Sequence, residues 1–196
     1  MYPYIKRVLD ILFSLLMIVA LSPILVLCSI LIKLESKGPI LFKQKRVGRN
    51  QELFTIYKFR TMRVDAPKDT PTHLLDSSVN FITPLGEFLR KSSLDELPQL
   101  VNILQGHMSF VGPRPALWNQ YDLTEERQKR SANDIRPGLT GWAQINGRDE
   151  LPIEVKAKYD GEYVSRMSLA FDIEIFFKTI FKVLVSEGVK EGKQNK

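Results

Sequence analysis

From Ile11 to Ile32 the chain runs 22 residues without a charge. As a straight helix at 1.5 Å per residue, that run reaches about 33 Å, enough to cross the hydrocarbon core of a bilayer. Ser22-Pro23 near its middle changes what it can be. Pro23 has no N–H to give the carbonyl of Val19, and its ring clashes there, so the helix must bend or break. In lipid a freed carbonyl needs a partner, and the Ser22 hydroxyl is a candidate donor. Lys6 and Arg7 precede the run and Lys33 and Lys37 follow it. Basic flanks mark cytoplasmic ends. Two readings stay open: a proline-kinked helix that crosses, and a re-entrant hairpin with both ends on the cytoplasmic side. A secretory signal fits poorly, because no small-residue cleavage site follows.

The net charge of +6 is unevenly placed. Nine Lys/Arg residues lie between 33 and 63 against Glu35 and Glu52, whereas residues 64–196 carry 17 basic and 19 acidic side chains. A basic stretch beside an apolar segment suits anionic lipid headgroups. The single cysteine, Cys28, excludes an intrachain disulfide, and with only His73 and His107 beside it no Cys/His metal cluster is expected. No phosphate-binding GxxxxGK[ST], dinucleotide GxGxxG or hydrolase GxSxG pattern occurs. Trp118, Trp142 and the basic charge fit no nucleic-acid-binding module, so no nucleic acid partner is expected.

Residues 39–63 read as two short strands, with Phe54 and Ile56 alternating against the side of Lys58, joined by turn residues Gly48-Arg49-Asn50. Residues 65–80, with Pro67 and Pro71, read as a loop. Thr83 followed by Pro84 predicts a helix start. A second helix is expected from Ser93, with Glu96 three residues on as a capping box and Gly106 as its stop. Residues 123–133 are expected to be helical, 140–146 (TGWAQIN) a short strand, and 152–163 and 169–186 helical. The last of these is too charged to span a membrane, and its Phe176, Phe177 and Phe181 face is expected toward lipid or the N-terminal helix.

The chemistry centres on Asp95-Glu96. Adjacent carboxylates at a helix start cannot face one way, so different roles are expected: one a nucleophile, the other a metal ligand or base. The competing reading is simple helix chemistry, with Glu96 only closing a capping box. Arginines beside rigid Pro/Gly turns weigh against it. Lys58, Arg60, Arg90, Arg114, Arg136 and Arg148 are candidate phosphate-binding residues, because guanidinium forks grip phosphate oxygens and rigid turns expose backbone N–H groups.

The segments KR-x-x-D (6–10), Ser22-Pro23, KFRTM (58–62), SLDELPQL (93–100), MSFVGPRP (108–115) and RPGLTGWAQINGR (136–148) together resemble the bacterial sugar transferase family, the monotopic phosphoglycosyl transferases. The resemblance runs from about Tyr4 to Glu187 with the motifs in fixed order. RPALWNQYDLTEER (114–127) and SEGV (186–189) are most similar to members that start capsular polysaccharide units.

The resemblance implies a re-entrant membrane helix over 1–35 broken at Ser22-Pro23, a catalytic domain over 36–187 at the cytoplasmic face of the inner membrane, and a tail over 188–196. The fold it implies is α+β and mostly helical, with interfacial amphipathic helices and a small β-hairpin. The implied reaction moves a sugar 1-phosphate from a UDP-sugar to polyprenyl phosphate and releases UMP. In it Asp95 attacks the β-phosphate and forms a covalent phosphosugar intermediate, Glu96 assists, and Mg²⁺ is held at Asp95 and Glu96. An N-acetylated amino sugar is the expected donor group. A non-enzymatic polybasic membrane anchor and a lipid-phosphate hydrolase using the same dyad are the competing functions.

Overall fold

The computed structural model describes residues 2–67, 81–147 and 151–184. Eight helices and two small sheets are found among them: α1 (Tyr2–Ala20), α2 (Ser22–Glu35), β1 (Leu41–Val47), β2 (Leu53–Phe59), α3 (Pro84–Lys91), α4 (Gln99–Gln105), β3 (Ser109–Val111), α5 (Tyr121–Gln128), β4 (Gly138–Thr140), α6 (Trp142–Ile145), α7 (Ile153–Arg166) and α8 (Leu169–Leu184). The α+β, mostly helical class is as expected.

The apolar run is two helices meeting at 61°. No single described helix is long and apolar enough to cross a membrane. The break falls at Leu21, one residue before Ser22-Pro23 enters α2. The Ser22 hydroxyl donates to the Val19 carbonyl at 2.8 Å, the group that Pro23 leaves without its usual partner.

β1 and β2 form the expected antiparallel hairpin, in register from Leu41↔Phe59 to Val47↔Leu53. Phe54 and Ile56 pack with Leu100, Ile103 and Met108, and Met17, Ile18 and Leu21 of the N-terminal pair close over them. Phe59, of opposite parity, packs with Cys28, Ile32 and Leu89. The hairpin is thus buried between α1 and α4 on one face and α2 and α3 on the other.

A second sheet lies outside the strands that the sequence predicts. β3 and β4 pair in parallel, and the 140–146 stretch read as a strand is mostly the one-turn helix α6. A run this short and apolar suits either state, and only its packing on α7 and α8 decides it. The helix expected over 123–133 is shorter, ending at Gln128. In α8, Phe171 and Ile175 are buried with Val111, Ile145 and Tyr163, while Phe176, Phe177 and Phe181 stay exposed rather than meeting the N-terminal helix. Most of the expected 65–80 loop and the tail from 188 lie outside the described residues.

Candidate active site

Thr83 caps α3 as expected, its hydroxyl accepting from the Gly86 N–H at 3.0 Å. Just beyond α3 the chain turns sharply. Ser93 adopts a left-handed φ of 57°, Leu94–Glu96 make one turn of 3-10 helix, and α4 follows. The expected capping box does not form: Ser93 makes no side-chain cap. Glu96 points instead to two cations. Its Oε1 accepts from Lys58 Nζ at 2.6 Å and from Arg114 at 3.1 Å. The sequence placed Lys58 opposite Phe54 and Ile56, yet strand parity puts it on their face, and that is why it meets Glu96 at the head of α4.

Arg114 reaches the site from the turn after β3. Gly112 N–H donates to Thr140 at 2.8 Å and Gly138 N–H to Pro113 at 2.9 Å, so the 111–115 and 136–141 segments are stitched backbone to backbone. A Cβ on Gly138 would stand 2.1 Å from the Gly112 nitrogen, so this approach demands glycine. The Arg114 carbonyl is held by Arg127 at 2.9 Å. Arg90 stands at the end of α3, its Nε donating to the Thr61 hydroxyl at 2.9 Å, and its charge acts on Asp95.

The two carboxylates are in opposite conditions. Burial would raise the Glu96 carboxyl, but the charges and hydrogen bonds of Lys58 and Arg114 overcome it and hold it far below the usual range. Asp95 is 9% exposed and makes no hydrogen bond or ion pair among the described residues. Burial pushes its carboxyl up to about 6, the neighbouring Glu96 charge adds to this, and Lys58, Arg90 and Arg114 pull the other way. The charges of Lys58, Arg90 and Arg114 all act on this acid pair, a setting that suits an anionic ligand. Within it Asp95 holds a carboxylate with no hydrogen bond or ion pair among the described residues.

Lys58, Arg90 and Arg114 gather at the acid pair, but two other candidate phosphate-binding residues do not. Arg60 is 7% exposed and donates to the carbonyls of Ile32, Ser36 and Lys37, closing the C-terminal end of α2. Arg136 donates to the Gly106 carbonyl at 2.8 Å, beyond the other end of α4. Both contacts have one cause: carbonyls at a helix end recruit guanidinium groups as readily as phosphates do. Arg148 lies outside the described residues. Two features had no signal in the sequence. The buried Arg127–Asp160 pair supports Arg114 from behind, and Gln99, in the first turn of α4, keeps its Nε2 buried without a partner.

No group of three or more His, Cys, Asp or Glu side chains able to hold a metal ion occurs among the described residues. Magnesium, however, is commonly bound by one or two carboxylates together with substrate phosphates. An unbonded Asp95 and the second oxygen of Glu96 fit that pattern.

The family model for bacterial sugar transferases matches residues 1–186. A Bacillus subtilis protein named uncharacterized sugar transferase EpsL is 41% identical over 95% of this chain and 91% of its own length. The Escherichia coli UDP-glucose:undecaprenyl-phosphate glucose-1-phosphate transferase is 40% identical over 93% of this chain. An Aeromonas hydrophila UDP-N-acetylgalactosamine-undecaprenyl-phosphate N-acetylgalactosaminephosphotransferase is 37% identical over 96%. The chain spans 41% and 46% of the length of these last two.

Proposed function

The chain belongs to the bacterial sugar transferase family, and from that premise we propose that it moves a sugar 1-phosphate from a UDP-sugar to polyprenyl phosphate, releasing UMP. The observation that carries the proposal is the unbonded, buried Asp95 carboxylate beside a Glu96 fixed by Lys58 and Arg114. Relatives named for undecaprenyl-phosphate sugar transfer support the reaction class.

In this reading an Asp95 oxygen attacks the β-phosphorus of the nucleotide sugar. The bond from that phosphorus to the bridging oxygen breaks, and UMP leaves with the bridging oxygen and the electron pair. An acceptor phosphate oxygen then attacks the same phosphorus, and the bond to Asp95 breaks, returning the carboxylate. Lys58 and Arg114 keep Glu96 ionised and still, and Arg90 and Arg114 offset charge on the diphosphate. Magnesium, held by Asp95 and Glu96, would supply further neutralisation of the diphosphate.

The bent α1–α2 pair enters the bilayer and returns, which puts the site at the cytoplasmic interface where a lipid phosphate and a soluble nucleotide meet. The exposed Phe176, Phe177 and Phe181 then contact lipid. For the donor we propose an N-acetylated amino sugar, on the capsule-type stretch 114–127. Relatives named for glucose and for N-acetylgalactosamine are similarly close, so both UDP-sugars belong in the test.

The experiment is UMP release across a UDP-sugar panel, with and without polyprenyl phosphate, alongside intact-mass spectrometry with each UDP-sugar alone. A sugar-phosphate adduct that polyprenyl phosphate discharges is the expected result. Phosphate release from polyprenyl phosphate without nucleotide would establish a hydrolase, and no turnover with any donor would overturn the transferase reading.

A further inference from the structure

The KR-x-x-D segment at the head of α1 has a contact for each charged residue. The Arg7 guanidinium donates to the carbonyls of Ile103 at 2.6 Å and Leu104 at 2.9 Å. Both lie in the last turn of α4, where carbonyls run out of intrahelical partners; the Ile103 carbonyl also accepts from the capping Gly106 N–H at 3.0 Å. The end of α4 is shaped for this contact. Gly106 takes φ +89, and a Cβ there would stand 3.2 Å from the guanidinium. One turn further along α1, Asp10 is 4% exposed and its Oδ1 accepts from the Ser109 hydroxyl and the Phe110 N–H, both at 3.1 Å. Lys6 pairs with Asp172, which also accepts from Tyr163 at 2.7 Å.

Arg7 and Asp10 hold two of the elements that carry the site, α4 and β3. α4 is gripped at its far end, and Glu96 stands just before its near end. β3 is gripped at its first two residues, and four residues after Phe110 the chain presents Arg114. The Glu96–Arg114 contact of 3.1 Å therefore bridges two elements whose spacing α1 fixes. We propose that Arg7 and Asp10 are positioning residues for the reaction. Through α4 and β3 they set the separation of Glu96 and Arg114, so the membrane helix is a structural part of the active site. The proposal rests on Glu96 and Arg114 handling the substrate.

The alternative for a basic pair beside an apolar segment is orientation in the membrane by charge alone. The two accounts differ in what they require. Orientation by charge is indifferent to Arg7→Lys, because the charge stays, and gives Asp10 almost no role. Positioning requires a fork that reaches two carbonyls and an acceptor for two donors.

The test is a double-mutant cycle on full-length protein in native-lipid nanodiscs, reading kcat and KM for the UDP-sugar. Asp10→Ala should lower kcat by about 10²-fold, the scale of a misplacement near 1 Å. Arg7→Lys should lower it by about tenfold. In an Arg114→Ala background each further loss should shrink to less than about threefold, because the contact being positioned is already gone. Leu12→Ala, on the 58% exposed side of α1, is the control and should leave kcat unchanged. If Asp10→Ala does not fold, Asp10→Asn and Arg7→Lys carry the cycle. Losses that multiply fully with Arg114→Ala, or a wild-type rate for Arg7→Lys, would overturn the proposal. A wild-type rate for Arg114→Ala alone would instead sink the reading of Arg114 on which it rests.

Discussion

Two buried acid–base arrangements stand on either side of Arg114, and they are built to opposite ends. Behind it, Asp160 is 1% exposed and Arg127 4%. The carboxylate Oδ2 accepts from Arg127 Nε at 2.8 Å and lies 2.7 Å from a terminal guanidinium nitrogen as an ion pair. The remaining guanidinium nitrogen is spent on the Arg114 carbonyl. The buried carboxylate and the buried guanidinium are bonded directly to each other. In front, Glu96 takes two cations on one oxygen, and Asp95 makes no hydrogen bond or ion pair among the described residues. Burial raises the Asp95 and Asp160 carboxyls alike, so burial does not separate site from scaffold. The mismatch of partners does.

The sharpest break between the two regions is Asp95→Asn. It should cut turnover by at least about 10³-fold, as removal of a nucleophile does, and abolish the sugar-phosphate adduct in intact-mass spectra. Turnover near wild type would remove the covalent mechanism.

Glu96→Gln and Arg114→Ala come next. Each should cost about 10²-fold in kcat/KM, since a charge-assisted contact is worth roughly 1.5–3 kcal/mol. Arg114→Lys should recover only part of the loss, because a point charge does not replace a fork. A wild-type rate in Glu96→Gln would return Glu96 to an uncharged structural role.

The two arrangements should also separate in stability, with opposite signs. Asp160→Asn strands a buried guanidinium and should destabilise the fold by about 3–5 kcal/mol, seen as a lower Tm. Asp95→Asn strands no bonded partner, because Lys58 and Arg114 remain on Glu96. A carboxyl raised to about 6 is disfavoured as an anion in the fold, so replacing it with a neutral amide should raise Tm at pH 7. Equal shifts in Tm would erase the distinction.

The smallest effect is in pH. Asp95 must be ionised to attack, and its carboxyl is raised to about 6. The rate should therefore level off above that value and fall about tenfold per unit below it. An acid limb centred near 4 would mean that Asp95 titrates like an exposed carboxylate.

Much of this was readable from the chain. The Thr83 cap, the hairpin, the Gly106 stop, the Ser22 bond to Val19 and the meeting of Lys58, Arg90 and Arg114 with the acid pair all follow local rules or motif order. The failures have physical causes. Arg60 and Arg136 have the sequence context of phosphate binders, but the carbonyls they serve come from other parts of the chain, 23 to 30 residues away. Glu96 has the spacing of a capping box, and two cations offered by a strand and a turn outcompete a single backbone N–H. The α6 helix is one turn long, too short for periodicity to register.

The grip of α1 on the rest of the molecule has a consequence for synthesis. α1 bonds to residues made long after it: Lys6 and Asp172 are separated by 166 residues, and Asp10 and Phe110 by 100. At about 5–20 residues per second, Lys6 waits roughly 8–33 s for its partner. Through that interval an apolar segment carries an unpaired Lys6, Arg7 and Asp10. Their partners on α4, β3 and α8 have not yet been made. α1 is therefore fully seated only once α4, β3 and α8 have been made.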